Sequence, residues 1–359
     1  MTHAALTSTP DGGIESMQHA WQGLREKKPG VQVRDAAALL GVSEAQLVAS
    51  GCGHTATRLA GDWATLIEAL PSLGRVTALT RNDHAIHEQT GEYRNVHIVG
   101  NMGLVLGEAI DLRLFLGHWH YGFAVEADSR SGATESLQFF DGDGTAVHKV
   151  YLTERSDRLA YARLVDAYRS PDQSPRQTTL AKPSAPPDRP DADIDVEGLR
   201  AHWRALRDTH DFHDLLKLFG ASRTQGLRLG GPDLARPVEP AAAPALLDSA
   251  AELLLDIMVF VGSPGVVQIH TGPVNRPQTT GAWLNVLDKD FNLHLRQETV
   301  ADAWVVSKPT VSGPVTSLEL YDFAGNTIAL FYGKRKPGYP ENPVWRALVT
   351  GLPTVAALP

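Results

Sequence analysis

The sequence predicts an α+β fold made of two related halves with antiparallel sheets. Three observations carry this expectation. Helical stretches give way to strand-rich stretches twice along the chain, a Pro-, Ser- and Asp-rich segment stands near its middle, and residues on either side of that segment match in the same order. Runs of helices followed by runs of strands favour α+β over a parallel βαβ wind.

The helical stretches are Gln18 to Lys27 and Asp35 to Leu47 in the first half, then Val196 to Thr209 and His213 to Phe219 in the second. In each, apolar residues recur at spacings of three and four. The strand-rich parts include VHIVG, DLRLFLGHW, YGFAVE, LQFFD and VHKVYL, which alternate or cluster β-branched and aromatic residues. DGDG at Asp141 to Gly144 is a hairpin turn, and FAGN at Phe323 to Asn326 is its counterpart.

The matches between halves are specific. Trp21, Leu24 and Arg25 correspond to Trp203, Leu206 and Arg207, an offset of 182. Asp35, Gly41, Ser43 and Gln46 correspond to Asp214, Gly220, Ser222 and Gln225, an offset of 179. Phe140, Asp141, Gly144 and Tyr151 correspond to Tyr321, Asp322, Gly325 and Tyr332, an offset of 181. Three ordered matches at nearly one offset indicate a duplication. The expected organisation is an N-terminal half over 1–169, a flexible, partly extended linker over 170–193 and a C-terminal half over 194–359.

Composition narrows the function classes. With 359 residues, 43% hydrophobic and 21% charged, the chain has the make-up of a soluble globular protein. No run approaches 18 apolar residues, so no membrane span is expected, and the first 30 residues lack signal-peptide features. The single cysteine, Cys52, cannot form an internal disulfide, which suits the cytoplasm. A net charge of −8 and one short basic patch, Lys334-Arg335-Lys336, argue against a nucleic-acid partner. Phosphate-binding loops, a GxSxG elbow, CxxC pairs and HExxH are all absent.

Histidine remains, with 14 copies. His210 and His213 lie between two helical stretches in DTHDFHD, where Thr209 or Asp211 is a candidate helix cap. The residues allow three readings: polar helix-end residues with no ligand, a metal site with Asp214, or one axial ligand to a haem. Two features favour haem. The first half has Glu26-Lys27-Lys28 and Glu44 where the second has His210 and Arg223, and Lys308 and Arg335 are isolated cations in apolar or aromatic surroundings. A haem needs an imidazole for iron, apolar walls and cations for its propionates. His118 and His120 in GHWHYGF read as neighbours on a strand face, His84 and His87 as members of a polar stretch, and His97 and His148 as strand surface residues.

The stretches TRNDHAIHEQTGEY, GLVLGEAIDLRLFLGHWHYGFAVE, LRAHWRALRDTHDFHDLLKLFGASRTQGLRL and LELYDFAGNTIALFYGKRKPG resemble the cytoplasmic haem-utilisation proteins called hemin-degrading factors, of HmuS, HemS and PhuS type. The resemblance implies two pseudo-symmetric halves, each with a large antiparallel sheet and flanking helices, and haem b (iron protoporphyrin IX) in a cleft between them. It implies His210 as the axial ligand and metal-binding residue. It places cationic and polar pocket residues on Arg113, Arg223, Lys308, Tyr332 and Arg335, and pocket walls on Met258 and Phe260. Some members carry a second histidine directly after the ligand; here Asp211 stands there, with His213 two residues on. The implied function is haem binding and trafficking in bacterial haem uptake. Its partners would be a haem oxygenase or other haem acceptor and the cytoplasmic side of a haem ABC importer. The alternative is an enzyme that opens the porphyrin using an external electron donor. A haem-free regulatory protein is a third reading, disfavoured by the acidic charge.

Overall fold

The computed structural model describes residues 6–7, 13–129, 132–184, 187–336 and 338–355. It divides into two compact units. Unit 1 comprises residues 1–81, 88–184 and 263–268, and unit 2 comprises 82–87, 185–262 and 269–359.

Unit 1 contains, in chain order, β1 (Leu6–Thr7), α1 (Gly13–Lys27), α2 (Val33–Leu40), α3 (Glu44–Ala49), β2 (Ala56–Leu59), α4 (Trp63–Ala69), β3 (Gly74–Arg81), most of β4 (Ala85–Glu92), β5 (Val96–Val99), β6 (Met102–Leu106), β7 (Asp111–Phe115), β8 (Tyr121–Ser129), β9 (Gly132–Phe140), β10 (Ala146–Ser156), α5 (Arg158–Ala167) and β11 (Thr179–Leu180). Unit 2 contains α6 (Val196–Arg204), α7 (Asp211–Phe219), α8 (Arg223–Gly230), β12 (Ala235–Val238), α9 (Ala242–Glu252), β13 (Ile257–Gly262), most of β14 (Val266–Gly272), β15 (Gln278–Thr280), β16 (Trp283–Leu287), β17 (Phe291–Arg296), β18 (Asp302–Lys308), β19 (Val315–Tyr321), β20 (Thr327–Gly333) and α10 (Pro343–Thr350). β1 and β11 form a two-stranded sheet, and the other described strands form two nine-stranded sheets, ordered β15-β16-β17-β4-β3-β10-β9-β8-β2 and β12-β18-β19-β20-β13-β14-β7-β6-β5. The registered strand pairs within them are antiparallel, as α+β patterning requires.

The duplication is visible in the hydrogen-bond registers. On β9 and β10, Gln138 faces Lys149 and Ser136 faces Tyr151. On β19 and β20, Glu319 faces Leu330 and Ser317 faces Tyr332. Each partner is displaced by 181. A bulge falls at matching places, between Ala146 and His148 and between Leu320 and Tyr321. Gly41 and Gly220 end α2 and α7 at φ 69° and 63°, a left-handed conformation in which a side chain is strained. Ser43 and Ser222 then cap α3 and α8 by accepting the amide N–H of Gln46 and Gln225.

Three expectations are revised. The helix expected from Asp35 to Leu47 breaks in two at Gly41. GHWHYGF is not one strand: Leu116–His118 forms a 3-10 turn, so His118 and His120 are not strand neighbours. The segment after Ser170 is not a free linker. Arg58 donates to the Ser174 and Arg176 carbonyls at 2.9 and 2.8 Å, Gln173 brackets the Arg58 backbone, Tyr121 donates to the Thr178 carbonyl, and β11 pairs with β1. Backbone polar groups in a Pro-rich stretch have no ladder of their own, and here other residues satisfy them.

In unit 2 one sheet face packs on α9 and α10 through Ile257, Val259, Val261, Leu318, Phe331 and Trp345. The opposite face of β18 and β19 is covered by α6, α7 and α8 through Trp203, Phe212, Leu216, Leu227, Val306 and Tyr321. Along β13 and β20 burial alternates, leaving Met258, Phe260, Leu330 and Tyr332 only half-buried.

Candidate functional site

The apolar stripe of α6 buries Trp203, whose ring packs 4.5 Å from that of Phe212 on α7 and whose indole N–H donates to the Ser307 carbonyl at 2.9 Å. This pins both helices and fixes the turn between them, which carries Asp208 and His210. His210 is itself the N-cap residue of α7 and makes no side-chain cap bond, so neither Thr209 nor Asp211 takes that place. Its side chain is 92% exposed. One contact orients it: Nδ1 lies 2.6 Å from Asp208 Oδ1, which also accepts the His210 backbone N–H at 2.9 Å. Those two hydrogen bonds, backbone first, hold the Asp208 carboxyl below the ordinary range. An ionised carboxylate only accepts, so Nδ1 carries the ring proton and Nε2 presents its lone pair.

Behind this turn is a buried ion cluster. Glu319 on β19 is fully buried and makes four kinds of contact. Arg223 donates to Oε2 through Nη2 at 2.8 Å and Nε at 3.1 Å, Lys308 Nζ donates to Oε1 at 2.5 Å, Ser317 donates to Oε1 at 2.9 Å, and Tyr321 donates to Oε2 at 2.5 Å. Burial alone would push the Glu319 carboxyl up; the Arg223 and Lys308 charges override it and hold it far below its usual range. Burial likewise works against the Arg223 charge, and Glu319 reverses that. Two cations against one carboxylate leave the cluster with one excess positive charge. Lys308 Nζ also lies 3.4 Å from the Tyr332 hydroxyl and 5.0 Å from the Phe212 ring centroid. Since Lys308 donates to that oxygen, the Tyr332 proton is free to point elsewhere. Phe260 meets the Tyr332 ring edge-on at 5.1 Å, and Met258 faces Tyr332 across the ladder. Arg335, just beyond β20, adds its charge near Asp208, and its Nε is buried with no partner among the described residues.

Within unit 2, the structure therefore brings together Arg223, Lys308 and Tyr332, with Phe260 and Met258 on the adjoining half-open face. It corrects one detail. Lys308 is only 2% exposed and turned to Glu319, so it is not a free cation. Arg113 lies in unit 1, ion-paired with Asp111 two residues away on β7. It sits in a cross-strand row with Leu104 and His97, beside exposed Met102, Val99 and Leu106. His213 is exposed, and among the described residues no cluster of three or more His, Cys, Asp or Glu is arranged to hold a metal ion. Two cavities in unit 1, of about 530 and 290 Å³, are lined by none of the residues that the resemblance places in the haem pocket.

Sequence reasoning missed Glu319; for the His210 ring it offered Asp208, Asp211 or a backbone carbonyl as partner, and the structure gives the hydrogen bond to Asp208. In LELYDF the alternation puts Glu319 opposite the apolar face of Leu318 and Leu320, which normally means solvent. The signal that could have found it is Tyr321, two residues on and on the same face, where the first half has Phe140. His148, expected on a strand surface, is buried: the Tyr93 hydroxyl lies 2.6 Å from Nε2 and Thr80 Oγ1 2.9 Å from Nδ1.

With this geometry in place, comparison with known proteins decides the family. The model of the haemin-degrading HemS.ChuX domain matches residues 41–168 and again 220–352. The chain belongs to the HemS/ChuX family. Both copies of the family domain fall on the duplicated halves. The hemin transport protein HmuS of Yersinia pestis is 41% identical over 340 residues, covering 94% of this chain and 97% of that protein. Holo-PhuS, a heme-binding protein from Pseudomonas aeruginosa, superposes with a TM-score of 0.92 at 47% identity, covering 96% of this chain and 100% of the other. ChuS, described as an E. coli heme oxygenase, superposes with a TM-score of 0.85 at 37% identity, covering 94% and 99%. Among the described residues of this HemS/ChuX-family chain, no helix is long and apolar enough to cross a membrane.

Proposed function

We propose that this chain is a cytoplasmic haem carrier of bacterial haem uptake, which binds haem b as cargo and passes it on for iron release. The observation that carries the reading is an exposed imidazole, tied through Nδ1 so that Nε2 faces outward, beside a buried cluster with one excess positive charge. Nε2 of His210 ligates ferric iron. The anionic propionates are met by Arg335, whose Nε lacks a partner among the described residues, and by the Tyr332 hydroxyl, whose proton Lys308 does not use. Lys308, buried against Glu319, supplies field from behind, while Arg223 gives Nε and Nη2 to the same carboxylate. Met258 and Phe260 offer apolar and aromatic surface to the macrocycle. Arg113 is kept as a proposed haem-binding cation on the resemblance to the family alone. A haem oxygenase or other acceptor and the cytoplasmic side of a haem ABC importer are the proposed protein partners.

A second reading is enzymatic, favoured by the relative ChuS, described as a heme oxygenase. Nothing in the cluster supplies electrons, so an external donor would be required. Turnover of the hemin complex with a reductant in the presence of catalase separates the two. Persistent Soret and visible bands support the carrier. Conversion to an open tetrapyrrole with iron release, despite catalase, replaces it with the enzyme.

A further inference from the structure

We infer that Asp208 is the positioning residue for the iron-ligating imidazole: it selects the ring tautomer, aims Nε2, and strengthens it as a donor to ferric iron. This rests on the haem-carrier reading above.

An imidazole at the N-terminal cap of a helix, with 92% of its side chain exposed, would ordinarily rotate freely and favour the tautomer with the proton on Nε2. Such a ring makes a poor preformed ligand. Here a single oxygen removes that freedom. Asp208 Oδ1 takes the ring Nδ1–H at 2.6 Å and the backbone N–H of the same residue at 2.9 Å. Holding both groups of one residue on one atom restricts the ring in direction as well as in protonation. The Asp211 backbone N–H also closes onto the Asp208 carbonyl at 3.3 Å, so the turn bearing the carboxylate is itself bonded to the start of α7. Asp211 and Asp214 sit on the same helix turn, yet the hydrogen bond to the His210 ring belongs to Asp208. A carboxylate on the far nitrogen of a metal-bound imidazole fixes ring orientation and raises ligand basicity, and losing such a partner typically costs roughly 10–100-fold in metal affinity. The added basicity favours Fe(III) over Fe(II), so the bond suits a protein that takes up oxidised haem.

The experiment uses the full chain and has two readouts. The first needs no haem: long-range ¹H–¹⁵N correlation of His210 in the apo-protein reports which nitrogen carries the proton. Wild type is expected to show Nδ1–H, and Asp208→Ala the Nε2–H form. An Nε2–H ring in wild type overturns the inference. The second is hemin titration of wild type, Asp208→Asn, Asp208→Ala and His210→Ala, with resonance Raman of the iron–histidine stretch after reduction. Asp208→Ala is expected to lose roughly 10–100-fold in ferric affinity and shift the stretch to lower frequency, with Asp208→Asn in between. An unchanged stretch and affinity in both Asp208 variants overturns the inference. If His210→Ala instead keeps the wild-type spectrum, the carrier reading through His210 fails, while the tautomer readout still judges Asp208.

Discussion

Replacing Glu319 by glutamine should be among the most damaging conservative changes in unit 2. The side chain is fully buried, and its carboxylate is the shared acceptor for Arg223, Lys308, Ser317 and Tyr321. Glutamine keeps the volume, so no cavity term enters. It keeps one acceptor oxygen but turns an amide N–H₂ toward one of two cations, leaving both buried charges without a counter-ion. Breaking a buried pair by removing one partner costs about 3–5 kcal/mol, and that is the expected loss in urea unfolding at neutral pH. Replacing Arg223, Lys308 and Glu319 together by apolar residues of similar size should cost less than Glu319→Gln alone, because no charge is then stranded. The pH dependence has a definite sign. The folded-state carboxyl is held below its usual 4.5, so its stabilisation is present above that value and lost as pH falls through the folded-state value. The gap between wild type and Glu319→Gln should therefore narrow on acidification. A loss under about 1 kcal/mol, the size of an exposed pair, or a gap that does not change with pH, would refute the reasoning.

Other outcomes follow from the same structure. His148 is held neutral by burial, with its ring pushed down to about 3, so the unfolded chain binds its proton first. Stability should fall with pH between about 6.5 and 3 by up to ~1.4 kcal/mol per unit, and His148→Gln should flatten that slope in unfolding titrations; an unchanged slope would show that His148 is not its source. A Cβ on Gly333 would lie 2.5 Å from Trp345 Cγ, against a ring with no exposed area. Gly333→Ala should cost about 1–3 kcal/mol in thermal melts, whereas a cost near zero would mean that α10 can shift. Arg335→Ala should weaken hemin binding with unfolding free energy unchanged, since the Nε holds no partner among the described residues; a folding defect without a binding defect would make the residue structural. Arg113→Gln should likewise lower hemin affinity, and unaltered binding would remove Arg113 from the proposal.

Much of the fold was legible because duplication writes the same local chemistry twice. The two hairpin turns are dictated by a few adjacent residues and were read correctly, whereas Gly41 and the Ser43 cap after it were read through as one helix, because the apolar spacing continues across them. What remained illegible depends on which elements cover which face. His148 read as a strand surface residue and Glu319 was not singled out, because alternation tells two faces apart without saying whether the second is covered. Helices α7 and α8 cover the face of Glu319, while the Tyr93 and Thr80 hydroxyls satisfy the ring of His148. Of the candidate site, His210, Arg223, Lys308, Tyr332 and Arg335 were named from the sequence. The division of labour among them was not, because it rests on the 2.6 Å bond of Asp208 and on the buried carboxylate that engages Arg223 and Lys308.

The most direct test of haem carriage through His210 is a hemin titration of the apo-protein and of His210→Ala, followed by the Soret band with matched circular dichroism to confirm folding. The expected result is saturation at one haem per wild-type chain, with the band displaced and the affinity reduced in His210→Ala. Equal affinity and an identical spectrum in a folded His210→Ala protein would contradict it.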